Sequence, residues 1–391
     1  MSGVGAAHRT RGAWDPTVVW LSAIRGTDDN RAMRRRRRVA TWLAIGGVAL
    51  GLSGCGSDDS AAQGLGDVLA AIEGLRGEQR LAKLAELAEA EGGTVSLYTS
   101  ISGSVVEDIV GAFEDAYDVD IAVYRAANEI VEQRLLEEAD AGFDGADVVD
   151  TAGQTLLVLQ EQGLVADYPF DPAPLIEGTV HDGWAATRLQ RFVVGWNTER
   201  ADRPPSWESL GDAAWKGRVI VEAGDWDWYS RLWTYWVEER GVSADEADAR
   251  FERLLRNARV VKGHSLGAQL LAAGELDVFS AAYTHHIDNL AEDGAPVAWT
   301  PAVEPVIVRQ NGVALLQRAR HPAAAALFAE WALGPGQRAY AASGYRSPRK
   351  DAGAPEAAYR SIDEERLASE RDRWIEAWER LLTLGEPGPA G

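Results

Sequence analysis

Two hydrophobic spacings alternate along this chain from residue 65 onward. Leu65 to Glu91 is rich in Ala, Leu and Glu at helical spacing, and Gly92-Gly93 stops it. Thr94 to Tyr98 (TVSLY) predicts a short buried strand, followed by a polar loop, Thr99 to Ser104. Val105, Val106, Ile109, Val110, Phe113 and Tyr117 then share one helical face. The same alternation predicts strands at Asp120–Tyr124 and Ala146–Asp150, with helices at Glu129–Ala141 and Thr155–Gln162. Strand and helix in turn imply a mainly parallel sheet with helices on both faces.

Arg191 to Trp196 (RFVVGW) is an extended apolar segment that leads into the Pro-containing stretch Arg200 to Ser206, a boundary between lobes. A second series follows, with strands at Arg218–Glu222, Arg259–Val261 and Val278–Tyr283. Helices are expected at Trp228–Arg240, Asp245–Asn257 and Leu266–Ala273. Glu304 to Leu316 (EPVIVRQNGVALL) is extended and apolar again, a return crossing, and helices near His321–Leu333 and Ile362–Leu382 close the chain. The expected organisation is residues 67–195 as the first part of lobe 1 and 196–303 as lobe 2. Residues 304–391 return to lobe 1 and carry the C-terminal helices.

The segment before this pattern reads as an address. Arg34 to Arg38 are five arginines, and Val39 to Leu52 is an apolar stretch of 14 residues. A spanning helix needs about 20 residues and the core of a secretion signal about 7–15, so the stretch fits the second. It ends in Leu52-Ser53-Gly54-Cys55, which resembles the lipobox of bacterial lipoproteins. That resemblance implies a lipid on Cys55, cleavage just before it, and a mature protein anchored at the extracytoplasmic face of a membrane or in the periplasm. Residues 33–54 are then the signal peptide and 55–66 a small, polar tether. Residues 1–32 mix Asp15, Asp28 and Asp29 with scattered Arg, so Met33 is the expected natural start and the segment before it a mis-assigned extension.

Composition narrows the function. Cys55 is the single Cys, so an intrachain disulfide and any Cys-based metal centre are excluded. Residues 1–54 hold nine Arg and three Asp, leaving 30 basic against 57 acidic residues, a net of −27, from Cys55 onward. Such a surface repels phosphate backbones and argues against nucleic acid as a partner.

Three strand ends run into polar residues that open a helix: Thr99–Ser104, Gly224–Tyr229 and Gly263–Gln269. Helix N-termini expose unpaired N–H groups, and ligands of open α/β sheets sit at strand tips. Each loop alone reads equally as an ordinary N-cap; three of them, spread over two lobes, point to a cleft. Gly224-Asp225-Trp226-Asp227-Trp228-Tyr229 adds an aromatic and acidic cluster, with Trp226 expected at the cleft and Trp233 in the core. His181 and His321 read as ordinary surface residues.

These motifs in order, GGTVSLYTS, ADVVDT, GWNT, WKGRVIVE, the Gly274-Glu275 turn, EPVIVRQNGVALL and AALFAEW, resemble the type 2 periplasmic solute-binding proteins, near the ferric-ion-binding branch. The resemblance spans about residues 90–350 and rests on many weak motifs. It implies a two-lobed α/β fold with mainly parallel sheets flanked by helices and two hinge crossings. It also implies a monomer that holds one small ligand and docks on the permease and ATPase of an ABC importer, with no cofactor required. Ferric-binding relatives ligate iron with two adjacent tyrosines after the Gly-Glu strand. The matching stretch here is Tyr283-Thr284-His285-His286, so His285 and His286 replace the pair and Tyr283 precedes them. Iron(III) prefers anionic oxygen ligands and is served less well by this set. Iron(III), free or chelated, is thus the family expectation, and a small anionic organic solute stays open. The expected lining is Tyr98, Thr99, Ser100 and Ser102 from lobe 1, with Asp225, Trp226, His264, Tyr283, His285 and His286 from lobe 2. Asp150 is a further candidate ligand.

Gly263-His264-Ser265-Leu266-Gly267 also matches the nucleophile elbow of serine hydrolases, with His321 and Asp288 or Asp293 in the required chain order. The strand before it is short and no oxyanion loop precedes it, so a binding protein is the expected reading.

Overall fold

The computed structural model describes residues 64–353 and 358–388. The extension over 1–32, the signal peptide, Cys55 and most of the tether lie outside the described residues. Two helices, α1 (Leu65–Ala71) and α2 (Gly77–Ala90), stand where one was expected. Gly74, at φ 74°, turns the chain between them. No helix of the described residues is long and apolar enough to cross a membrane.

The first half alternates as its periodicity demands: β1 (Thr94–Thr99), α3 (Gly103–Ala116), β2 (Asp120–Arg125), α4 (Asn128–Asp140), β3 (Val148–Ala152) and α5 (Gly153–Glu161). Strand β1 lies between β2 and β3, parallel to both. After β4 (Val180–His181) comes the long β5 (Trp184–Asn197), which opens the second half. There β6 (Val219–Glu222), α6 (Trp226–Thr234), α7 (Ala244–Asn257), β7 (Ala258–Val261), α8 (His264–Ala272), β8 (Val278–Tyr283), α9 (Thr284–Glu292) and β9 (Val297–Ala298) follow. Strand β6 lies between β7 and β8, again parallel. The return is β10 (Val306–Leu315), then α10 (Pro322–Leu333) and α11 (Gln337–Ala342). Last come β11 (Tyr359–Ser361), α12 (Glu364–Ser369), α13 (Arg371–Leu382) and β12 (Glu386–Pro387).

The two parallel triplets are joined by the crossings themselves. Strands β5 and β10 pair antiparallel with each other, β10 also with β3, and β5 also with β8. One hydrogen-bonded path therefore runs β12-β7-β6-β8-β5-β10-β3-β1-β2. Each half keeps its own apolar core. Phe113, Phe328 and Trp331 pack in the first, and Trp228, Tyr229 and Phe251 in the second. The boundaries drawn from sequence need one correction. Helices α12 and α13 bury Leu367, Trp374, Trp378 and Leu381 in the second core, not the first. The reason is aromatic packing, with Tyr229 stacked on Trp378 at 5.4 Å and edge-on to Trp374 at 5.6 Å.

Candidate functional site

The crossing strands carry an unusual load. A strand covered on both faces normally reads as a continuous apolar run, yet β5 buries Thr187, Arg188, Gln190 and Arg191, and β10 buries Arg309, Gln310 and Asn311. Buried polar groups need partners, and these find them in both halves. Arg188 pairs with Asp150 in the middle of β3, whose other oxygen accepts from Thr187 Oγ1 at 3.0 Å and Tyr340 Oη at 2.9 Å. Arg309 donates to Asp227 Oδ2 and to the Tyr283 hydroxyl, both at 2.8 Å.

Around Tyr283, at the tip of β8, the second half gathers its strand ends. The ring of His264, first residue of α8, stacks on Tyr283 with centroids 3.5 Å apart. His264 Nε2 lies 2.9 Å from Asp225 Oδ1 and 4.0 Å from Glu222 Oε2. Glu222 ends β6, and its carboxylate accepts from Gly224 N at 2.5 Å and Gly263 N at 2.8 Å, just ahead of α6 and α8. Gly263 at φ 100° supplies the backbone bend that opens α8. His285 and His286, in the first turn of α9, have rings 4.2 Å apart and both lie within 6 Å of Tyr283.

Burial tunes these groups away from charge. It pushes the Asp225 carboxyl well above its usual range, helped by Asp227 and opposed by Arg309. Glu222 is raised for the same reason, with Asp225 adding repulsion against the pull of His264 and two backbone N–H groups. Burial drops His264 and His286 to about 4, and takes His285 well below the ordinary imidazole value. Three neutral imidazoles and two carboxyls of reduced acidity thus share one buried corner. Asp225 Oδ2, His264 Nδ1 and His285 Nε2 have no hydrogen-bond partner there.

The first half meets this corner through Arg188. Its guanidinium lies over the Tyr345 ring at 5.3 Å, and Tyr345 packs on His285 at 4.6 Å. Gly344, at φ 81°, lets the chain pass: a Cβ there would lie 2.9 Å from that of His285. A contact chain thus runs from Asp150 through Arg188 and Tyr345 to His285 and Tyr283.

Of the residues singled out from sequence, Asp225, His264, Tyr283, His285 and His286 come together. Thr99 and Ser100, at the β1 tip, sit with Asp150 and Thr151 of β3. Thr99 Oγ1 donates to the Asp150 carbonyl at 2.8 Å, and Thr151 Oγ1 to Ser100 Oγ at 3.1 Å. Ser102 caps α3 by position without a side-chain hydrogen bond. Two expectations are corrected by position. Tyr98 points to the face opposite Thr99, as strand alternation requires; its hydroxyl donates to Glu138 at 2.9 Å and its ring packs on Tyr124. Trp226 is buried in the second core. The two lone histidines are also tied down: His181 stacks on Trp184 at 3.9 Å, and His321 Nδ1 lies 2.9 Å from Asp147. Of the residues in the hydrolase reading, His321 is thus bonded to Asp147, and Asp288 accepts from Trp299 Nε1 at 2.6 Å. Sequence reading missed Glu222, Arg188, Arg309 and Tyr345. A charge inside an apolar crossing strand, Arg309 in EPVIVRQNGVALL, was the available signal.

The family model for a bacterial extracellular solute-binding protein matches residues 108–362. Comparison with curated protein sequences returns no match. Among solved structures, iron-bound HitA from Pseudomonas aeruginosa is similar with a TM-score of 0.62 at 18% identity, over 74% of this chain and 99% of that one. AfuA from Actinobacillus pleuropneumoniae, with fructose-6-phosphate bound, gives 0.65 at 22% identity, over 75% and 99%. A ferric binding protein from Campylobacter jejuni gives 0.61 at 18% identity, over 73% and 99%. At these identities the likeness establishes the fold: a two-lobed periplasmic-binding-protein architecture.

Proposed function

This chain belongs to the bacterial extracellular solute-binding proteins, and we propose that within that family it is the capture component of an ABC importer, closing its two lobes around a metal cation. The contact chain from Asp150 through Arg188 and Tyr345 to His285 and Tyr283 carries this reading, because it links residues of both halves in one buried polar seam. A ligand that bridges the seam adds contacts only when the lobes are together. It therefore shifts the population toward the closed form, which the permease reads. No bond is made or broken in that cycle.

Of the two ligand classes open from sequence, the cation has the better support. The solved neighbours are divided, HitA being iron-bound and AfuA carrying a sugar phosphate, so the choice rests on the geometry of the strand tips. An anion held by lobe 2 would need the N–H groups that open α6 and α8. Here the carboxylate of Glu222, held by Gly224 N and Gly263 N, already stands just ahead of both helix starts and opposes a second negative group there. Elemental analysis of the full chain purified without chelators, with a thermal-shift screen of metal salts, carboxylates and phosphates, tests the reading. Bound metal and a shift with metal salts are expected. Shifts with anions alone, and no metal, would overturn it.

A further inference from the structure

We propose that the cation site is not the Tyr283–His285–His286 set but a cluster of Glu222, Asp225 and His264, built for a divalent transition-metal ion. The inference rests on the capture reading above and names the ligands that the second half supplies; the seam reaches them through Tyr345, His285 and Tyr283, whose ring stacks on His264 at 3.5 Å. One donor atom from each of the three residues lies within 4.8 Å of the other two. The donors come from the β6 tip, the residue before α6 and the first residue of α8, so backbone elements fix their positions. Both Glu222 oxygens are held by backbone N–H groups and keep lone pairs for a metal. Asp225 is 2% exposed and leaves Oδ2 without a partner. A buried carboxylate oxygen with nothing to accept from is costly unless a ligand completes it.

The neighbouring set is less suited. The Tyr283 oxygen takes an N–H from Arg309 at 2.8 Å, so a guanidinium stands where a cation would have to approach. His285 is pressed between Gln190, whose amide is 3.5 Å from Nδ1, and the Tyr345 ring. Asp227 is matched by Arg309, which leaves Glu222 and Asp225 to balance a charge of two. Two carboxylates and an imidazole suit zinc(II) or manganese(II), while iron(III) demands more anionic oxygen.

Zinc(II) chloride and manganese(II) chloride, each alone, are titrated calorimetrically into the chelator-stripped full chain, with bound metal counted by elemental analysis. One ion per chain is expected. Asp225→Asn, His264→Gln and Glu222→Gln should each weaken binding by about a hundredfold, since even supporting residues of metal sites change affinity 10–100-fold. His286→Ala should bind as the parent does. Asp225→Asn and Glu222→Gln keep side-chain shape, and their melting temperatures without metal show whether the fold survives. Loss of binding in His286→Ala with retention in Asp225→Asn and His264→Gln would overturn the site. A chain that binds neither metal but is stabilised by an organic solute would also overturn it, while leaving solute capture intact. Metal bound through these three residues by a chain whose loss does not affect import would support the site and remove the importer role.

Discussion

Arg309 shows how a single charge is kept in an apolar strand. It is buried, paired with Asp227, bonded to Tyr283, and lies over the Phe192 ring at 5.2 Å. Removing one partner of a buried pair strands the other, at roughly 3–5 kcal/mol, whereas replacing both is often neutral. Arg309→Met should therefore lower urea-measured stability by about that amount. Asp227→Asn added to it should recover a large share, and a single variant within about 0.5 kcal/mol of the parent would contradict the argument. Glu364 is the converse case. It is 3% exposed, accepts from Gln310 N at 3.0 Å, and leaves Oε2 without a partner. Burial, reinforced by Asp227 and opposed by the Gln310 N–H and Arg309, raises its pKa to about 8. A raised carboxyl pKa means that the folded chain keeps a proton that the unfolded chain has lost. Stability from this group is complete below about 4.5 and declines up to about 8, by about 1.4 kcal/mol per pH unit. Glu364→Gln should match the parent in acid and exceed it increasingly toward pH 8 in thermal melts. Parallel pH profiles would show that Glu364 is ionised throughout.

Among the elements, the two crossings set the geometry of everything at the strand tips. Their register slips between Asn311 and Gly312, where a Cβ on Gly312 would lie 2.5 Å from the Ala185 carbonyl and 2.6 Å from the Trp184 ring. Backbone and a fully buried indole cannot give way, so Gly312→Ala should cost roughly 1–3 kcal/mol in chemical unfolding, the range for overpacking. A neutral variant would show that the crossing strands slide freely. The same strands explain what was legible in the sequence. Their apolar ends announced a crossing, but β5 runs from Trp184, well before the apolar RFVVGW. Thr187, Arg188 and Gln190 look solvent-facing until their partners, up to 150 residues away, are known. Helix α9 escaped notice because Thr284, His285 and His286 dilute its apolar face. At the site, Asp225, His264, Tyr283 and the histidine pair were readable as polar strand tips. Glu222 was not, because a carboxylate ending a strand looks like solvent exposure until two backbone N–H groups are seen to hold it.

The whole molecule is threaded so that neither half is a continuous piece of chain. The first core takes residues from 68 to 185 and again from 313 to 345, the second from 192 to 307 and again from 362 to 381. The described residues accordingly fall in one compact unit, Ser60–Gly391. Unfolding one half would unpair β5 or β10 from the other and uncover apolar surface on both sides. The full chain should then melt in one calorimetric transition whose calorimetric and van't Hoff enthalpies agree. A ligand that bridges the seam stabilises this single transition as a whole. At a hundred times its Kd the gain is about 2.7 kcal/mol, and with an unfolding entropy near 2.1 cal/mol/K per residue over roughly 330 residues the midpoint rises about 4 °C. The decisive observation is the shape of that shift. If zinc(II) or manganese(II) raises one undivided peak, the two halves unfold as one unit with the ion bound, as closure requires. If it splits the endotherm and moves only one component, the ligand is held by one lobe alone, and closure cannot be the event that the permease senses.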